Sequence, residues 1–395
     1  MDNSGSASTP AQLVPVALLC VAAGSLYGWS ALIPALLQTY QVGYAEAGQV
    51  FSSAIVAFTI AVLVVPRLDP RWRSLRALSG YAGLACACVT AAPWMAGFWL
   101  FLLAYGIGFG SLSGAIYMVS LEIAGRTRRP ALNVPVMVAA FGFGGVVFGP
   151  VLSVLVSQGM GMGALWLVAL ALACTGGLGF WRAAGEKKAA PAAELRLPSD
   201  RRAIDLPPRL LLPAQLWLIF AFGSVAGLAT LALASRMVAD RGASPVWVSL
   251  ALAGVGLGNS MGRLVVGLLG QWLRPRAILL VAQCITFAGL ALLGLTSAPA
   301  LGVLAIGLVA FGYGLLAAGM PVLTRALVGP AGFAATYSIV FTGWGAAGLL
   351  APWIAGAVRD RSGDFLGVVA GASLAVVVSL ALTIWLDATL EEPLS

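Results

Sequence analysis

The chain has 395 residues, of which 60% are hydrophobic and only 9% are charged. Soluble domains carry about 25% charged residues, so this composition excludes an ordinary soluble protein and indicates an integral membrane protein. The net charge of +8 would suit nucleic acid, but the basic residues lie mainly in short loops between apolar runs, where membrane topology explains them. No histidine is present, which excludes imidazole-based catalysis and imidazole metal sites.

Twelve apolar runs follow one another, each near the length of about 20 residues that a membrane-spanning helix needs. In chain order they cover residues 13–38, 46–66, 76–95, 97–121, 132–157, 162–182, 211–237, 245–271, 277–296, 299–324, 332–357 and 364–386. A membrane β-barrel would instead alternate apolar and polar residues in segments of about 10. The predicted fold class is therefore an all-α membrane protein with twelve transmembrane helices.

A polar stretch divides these runs into two sets of six. We predict a first half over residues 1–182, a cytoplasmic linker over 183–210 and a second half over 211–395. The halves repeat at about 200 residues, since Phe-Gly-Phe-Gly-Gly at 141–145 matches Phe-Thr-Gly-Trp-Gly at 341–345. Two pseudo-symmetric six-helix halves around a central site resemble the major facilitator superfamily.

The charges predict the orientation of the chain. Loops 2–3, 4–5, 6–7, 8–9 and 10–11 hold 17 of the 22 Lys and Arg residues, and the opposite loops hold four. Because basic loops stay in the cytoplasm, both termini are predicted to be cytoplasmic and the protein to lie in an inner (plasma) membrane.

Arg263 is the one charge inside a predicted helix core. A charge there costs roughly 3 kcal/mol or more, so such residues usually face a cavity and bind something. No Asp, Glu or Lys lies in any predicted helix core, so we expect an anionic substrate as the partner of Arg263. Asn259 lies one helical turn earlier on the same face and is expected to orient Arg263 or bind the substrate. The alternative is a structural Arg satisfied by helix-end carbonyls or reaching the inner interface.

Four further residues are candidates to line the cavity. Tyr117 lies at a depth similar to that of Arg263, although an interfacial aromatic residue is an equal alternative. Tyr313, Phe341 and Leu26, with its neighbour Tyr27, lie in predicted helices 10, 11 and 1, where packing or lipid-facing roles are the alternative.

Asp69 and Glu122 are the acidic residues considered for gating or coupling. Asp69 lies in the basic loop 2–3, where a gate is the expected role. Glu122 ends helix 4 near three arginines at 126, 128 and 129, and a salt-bridge cluster is the simpler interpretation.

Together these residues resemble the monocarboxylate porter family of lactate and pyruvate carriers. Residues 27–29 (Tyr-Gly-Trp) are similar to its helix-1 signature, with Gly24 where that signature has an acid. The paired arginines before helix 5, at 128 and 129, are similar to a second signature. Arg263 stands where the family has its substrate-binding Arg, and Asn259 where members have Asp or Asn.

The resemblance implies roles that the residues alone do not. By similarity with bacterial lactate carriers, Tyr117, Tyr313, Phe341 and Leu26 would line the substrate site. The family also implies symport of a proton with the substrate. Related oxalate–formate exchangers use a second basic residue in helix 11, which residues 343–354 lack, so a monoanion fits better than a dianion.

We therefore expect a proton-coupled secondary active transporter of small monocarboxylates such as lactate or pyruvate, working by alternating access. It would not be an enzyme, would need no cofactor or metal, and would function as a monomer. Its partners would be the organic anion, a proton and the lipid bilayer, not nucleic acid. The alternatives are an exchanger or efflux antiporter for another organic anion or a drug, and a non-transporting membrane receptor.

Overall fold

A computed structural model of the chain describes residues 10–125, 127, 130–184 and 211–386. The first half contains α1 Leu13–Tyr40, α2 Tyr44–Arg67, α3 Leu75–Trp94, α4 Phe98–Ala124, α5 Pro130–Leu155 and α6 Leu165–Ala184. The second half contains α7 Leu211–Ala239, α8 Pro245–Leu269, α9 Pro275–Leu295, α10 Pro299–Gly329, α11 Ile339–Ser362 and α12 Leu366–Trp385. The predicted linker lies almost entirely outside the described residues, as do Arg128 and Arg129.

The described residues contain eleven helical stretches long and apolar enough to cross a membrane. One of them, Val136–Trp181, has 46 residues. A straight helix of that length would measure about 69 Å, more than twice the hydrocarbon core of a bilayer. Gly159 and Gly161 adopt φ values of 88° and 54° and break this stretch into α5 and α6. The described part of this multi-pass membrane protein thus has the twelve helices that the apolar runs predict.

Local sequence explains where several helices begin and end. Pro245, Pro275 and Pro299 stand in the first turns of α8, α9 and α10, where a missing N–H costs nothing and the fixed φ suits a helix. Between α10 and α11 the helical path is interrupted at Gly329, whose φ of 69° is strained for other residues.

Among the described residues, the helix pairs that join the two halves include α1 with α7, α2 with α11, and α5 with α8. In the first pair the Ser235 hydroxyl donates a hydrogen bond to the Ser30 backbone carbonyl. In the third pair the backbones approach closely because Gly256 has no side chain, and a Cβ there would overlap the backbone nitrogen of Val146. Small residues at such crossings are typical of helix packing in membranes.

The first helix is irregular where it passes the centre of the bundle. Its segment Gly24–Leu32 forms tighter 3₁₀ turns, and every residue in it is buried. Gly24 packs against the backbone of α5, and a Cβ at this position would overlap the carbonyl oxygen of Phe141. Stretches of 3₁₀ helix within a longer helix often mark functional positions, and this one carries Tyr27 into the centre of the molecule.

Candidate functional site

The guanidinium of Arg263 contacts both halves of the molecule. Its Nε donates a hydrogen bond to Asn259 Oδ1 at 3.2 Å, one helical turn back on α8. Its Nη2 donates to the hydroxyl of Tyr27 on α1 at 3.4 Å. Arg263 therefore lies at the boundary between the halves rather than inside one of them.

Four tyrosine hydroxyls lie within electrostatic range of this cation, those of Tyr27, Tyr117, Tyr313 and Tyr337. Neutral hydroxyls solvate a cation through their dipoles but leave its charge in place. Among the described residues no carboxylate pairs with Arg263, so its positive charge stays uncompensated.

Two buried polar groups in the turn of α8 before Arg263 have no hydrogen-bond partner in the described part of the chain. They are Asn259 Nδ2 and the hydroxyl of Ser260, which faces Gly142 of α5. Asn259 is 0% exposed and Ser260 4%. A buried donor without an acceptor costs about 1–3 kcal/mol, so a ligand oxygen that reached these groups would be stabilised.

Aromatic rings in contact with one another extend from the four tyrosines, and we call this group the aromatic cage. Its members are Tyr27, Phe58, Tyr117, Phe141, Tyr313, Tyr337, Phe341 and Trp344.

The cage has a part in each half. In the first half, the ring centroids of Phe58, Tyr117 and Phe141 lie 5.2–5.4 Å from one another. In the second half, Phe341 stacks on Trp344 at 5.3 Å. The Phe58 and Trp344 centroids are 6.5 Å apart, so the two parts meet.

The predicted cavity residues differ in what they touch. Tyr117 packs among cage rings and interacts with Arg263 through its hydroxyl. Tyr313 is completely buried, and its hydroxyl accepts a 2.6 Å hydrogen bond from Trp344 Nε1. Phe341 keeps part of its surface uncovered. Leu26 is fully buried, and its neighbour Tyr27 makes the contact with the guanidinium instead.

Polar contacts join the halves at the end of the bundle where α2 begins, which we call the Asp360 end. The Asp360 carboxylate, on α11, accepts hydrogen bonds from the backbone N–H groups of Tyr44 at 2.9 Å and Ala45 at 2.8 Å. It therefore caps the first turn of α2 from the other half, where a negative charge is favourable. Arg236 Nε, on α7, also donates to the Tyr44 hydroxyl at 3.0 Å.

The opposite end, which we call the Glu122 end, holds both acidic residues singled out in the sequence. Glu122 forms an ion pair with Arg73 at 3.4 Å, a partner that the sequence analysis did not name. Asp69 is exposed and accepts a 2.9 Å hydrogen bond from the backbone N–H of Arg71. Among the described residues, α4 and α10 do not pack together at this end as the three inter-half pairs do. The halves are thus joined towards the Asp360 end.

Comparisons with known proteins identify the architecture. Scans of protein-family models and of curated proteins find no match. Among solved structures, a mutant of the nucleoside transporter NupG is similar with a TM-score of 0.74 and 13% identity, covering 95% of this chain and 100% of that one. A bacterial homologue of the human lysosomal transporter Spinster is similar in two inward-facing conformations. The unoccupied one gives a TM-score of 0.66 at 14% identity over 96% of this chain and 95% of that one. The occupied one gives 0.63 at 13% over 98% and 100%.

The chain has the major facilitator fold. Identities this low show the fold alone. In this chain the residues around Arg263 come from α1, α2, α4, α5, α8, α10 and α11 and, for Tyr337, from the segment before α11. A site between two pseudo-symmetric halves can be reached from one side at a time when the halves rock against each other.

Several residues of this candidate site were not predicted from the sequence. They are Phe58, Phe141 as a ring, Ser260, Tyr337, Trp344 and, at the Asp360 end, Asp360 itself. Phe141 and Trp344 occur in the repeated glycine-rich segments, and that repeat was the available signal. Phe58 and Tyr337 had no distinguishing signal, because aromatic residues in apolar helices face lipid as readily as a cavity.

Proposed function

We propose that this chain is a secondary active transporter that carries small monocarboxylates across the membrane by alternating access. The observation that supports it is the uncompensated cation of Arg263, in contact with Tyr27 of one half and Asn259 of the other. An anion bound there neutralises a charge that is costly in a membrane interior and touches both halves at once.

The chemistry of the site favours a carboxylate. A guanidinium presents a planar fork that matches the two oxygens of a carboxylate. The unpartnered Asn259 Nδ2 and Ser260 hydroxyl offer further donors to the same ligand. With one cation in the site, a monoanion leaves no excess charge, whereas a dianion would.

Alternating access gives the two ends of the bundle different tasks. In the proposed cycle the contacts at the Asp360 end break while the Glu122 end closes, and the site then faces the other side. The charge asymmetry of the loops predicts that the Asp360 end faces outward, so the present arrangement would be an inward-facing one.

Uptake of labelled lactate, pyruvate and larger monocarboxylates into proteoliposomes containing the full chain tests the proposal. Arg263→Lys should abolish or severely reduce uptake, because Lys keeps the charge but loses the two-point fork. Arg325→Lys is the matched control, since Arg325 is exposed near the end of α10. Normal uptake by the Arg263→Lys variant, with each acid, would remove Arg263 from the site and refute the proposal.

A nucleoside is a second candidate, because rings like those of the aromatic cage also stack on nucleobases and NupG is a nucleoside transporter. Nucleosides are neutral and would leave the Arg263 charge buried and unpaired, so we favour the anion. Thymidine uptake that is unaffected by Arg263→Lys would support this alternative. Uptake of no tested solute, despite binding, would favour a receptor.

Proton coupling is the second part of the proposal. No Asp or Glu lies near Arg263 in the described residues, so we infer that the proton travels with the substrate. A desolvated carboxylate gains proton affinity while the nearby guanidinium opposes this, and protonation would weaken its pair with Arg263. Asp69→Asn and Glu122→Gln should each keep accumulation driven by a pH gradient. Loss of that accumulation, with exchange retained, would make the altered acid the proton carrier.

A further inference from the structure

The surroundings of Arg263 carry more aromatic surface than a lactate-sized substrate requires. The sequence predicts a small monocarboxylate, but the structure places a connected group of rings from both halves near the cation. Tyr117, Tyr337 and Phe341 each keep part of their surface uncovered. Each of them also packs on other cage rings or interacts with Arg263. Partly uncovered aromatic surface therefore belongs to the same group of rings as the tyrosines that interact with Arg263.

Phe341 belongs to the same group of rings as a tyrosine that interacts with the cation. Tyr337 interacts with Arg263, and its ring centroid is 5.9 Å from that of Phe341. A ring attached to the carboxylate of a substrate offers an aromatic face for such contacts, whereas the methyl group of lactate does not.

The spacing of the cage also suits an added ring. Neighbouring centroids are 5.2–6.5 Å apart, within the range of about 4.5–7 Å at which aromatic rings attract each other. The two parts of the cage meet only at Phe58 and Trp344 among the described pairs, so a planar group entering beside this contact would touch rings of both halves.

We propose that the preferred substrate is an aromatic monocarboxylate, with its carboxylate on Arg263 and its ring against Phe341 and Tyr117. This inference rests on the proposed function and narrows it. Asn259 Nδ2 and the Ser260 hydroxyl then bind the second carboxylate oxygen or a substituent on the ring. Phe341 determines specificity through contact with the ring and takes no part in charge recognition.

Titration of the purified full chain with four matched probes tests the inference. Benzoate carries both features, cyclohexanecarboxylate keeps the charge and size without the aromatic ring, benzamide keeps the ring without the charge, and lactate is the small acid. Benzoate should bind about tenfold more tightly than cyclohexanecarboxylate and lactate, since ring pairs contribute beyond the area they bury. Benzamide should not bind measurably.

Variants then assign the preference to the ring contact. Phe341→Leu should bring benzoate to the affinity of cyclohexanecarboxylate and leave lactate unchanged, whereas Phe341→Tyr should keep the preference. Phe287→Leu is the control, because Phe287 is an exposed ring on α9. The unfolding temperature of each variant separates a loss of folding from a loss of contact, and the Tyr variant keeps the test usable if the Leu variant does not fold.

The outcomes distinguish the inference from the proposed function. Lactate binding as tightly as benzoate, with both abolished by Arg263→Lys, overturns the aromatic preference and leaves the monocarboxylate transporter standing. A benzoate preference that survives Phe341→Leu in a folded variant also overturns the inference. Absence of any Arg263-dependent binding overturns both.

Discussion

At the residue scale, the guanidinium of Arg263 has more donors than its neighbours accept. An arginine side chain carries five N–H donors. Asn259 and Tyr27 accept one each, and Tyr117 interacts through its hydroxyl. An anion could accept hydrogen bonds from the remaining donors. The orientation of Nε is set by a single amide on the same helix, that of Asn259.

Asn259→Ala should weaken binding of the preferred carboxylate about tenfold. It removes the acceptor that orients Nε together with the unpartnered Nδ2, and a hydrogen bond to a charged group is worth about 1.5 kcal/mol or more. Asn133→Ala is the matched control, because Asn133 donates to the Thr127 hydroxyl at the Glu122 end. Equal dissociation constants for both variants, measured by ligand titration, would contradict the assigned role.

Sequence alone could single out Arg263 and Asn259, but not most of the cage. A charge in an apolar run is a local signal that needs no three-dimensional information. Phe58 and Phe287 occur in similar apolar surroundings in the sequence, yet Phe58 is buried beside the site and Phe287 is exposed on the bundle surface. That difference depends on which face of each helix turns inward. Packing against the neighbouring helices determines that face.

At the scale of elements, helix boundaries follow closely from the apolar runs. The runs at 13–38 and 245–271 correspond to helices Leu13–Tyr40 and Pro245–Leu269. The 3₁₀ segment Gly24–Leu32 was not predicted, because its cause is the close packing of α1 on α5 rather than a local propensity. The length of an apolar run depends on the thickness of the bilayer, whereas such a distortion depends on packing against the neighbouring helix.

Gly256→Ala should destabilise the packed arrangement of α5 and α8. The added Cβ meets the backbone of Val146, which cannot rotate away, and overpacking of this kind costs about 1–3 kcal/mol. Gly267→Ala, on the same helix with open space around it, should be neutral or slightly stabilising, since Ala is the better helix former. Thermal unfolding of both purified variants measures this, and similar unfolding temperatures would show that the contact is not tight.

Asp360→Ala should loosen the Asp360 end. The change removes two hydrogen bonds and a favourable charge at the start of α2. Asp364→Ala is the matched control, because Asp364 accepts from the Leu366 N–H at the start of α12 within its own half. A single cysteine at buried Ser235, in a chain without native cysteines, should react faster with a maleimide only in the Asp360 variant. Equal reaction rates with the maleimide in both variants would show that the hydrogen bonds of Asp360 to the other half do not act as a gate.

At the scale of the whole molecule, the basic residues and the inter-half contacts occupy opposite ends. The loops that are predicted to be cytoplasmic hold 17 of the 22 Lys and Arg residues, and the described loop between α2 and α3, with Arg73, lies at the Glu122 end. The helix count and the two halves could be predicted from the sequence, because both follow from hydrophobic run length and repetition. The end at which the two halves are joined could not be predicted from the sequence. It depends on contacts such as those of Asp360 with residues more than 300 positions away.

The predicted orientation makes residue 190 cytoplasmic and Ser244 external. In whole cells, a membrane-impermeant reagent should label a cysteine at Ser244, in the exposed loop between α7 and α8, and should not label one at Ala190 until the membrane is opened. Strong external labelling at position 190 would reverse the assigned orientation of both termini.

The contact between Gly24 and the Phe141 carbonyl restricts how this chain can change by mutation. The helix-1 signature that residues 27–29 resemble has an acid at the position of Gly24, but here any side chain larger than hydrogen would collide with the α5 backbone. A carboxylate at position 24 is therefore not accommodated by a single substitution, because α1 and α5 would first have to move apart. Engineering a helix-1 proton carrier into this chain would require redesign of the interface between the two helices, and random mutagenesis screened for coupling should not recover acidic residues at this position.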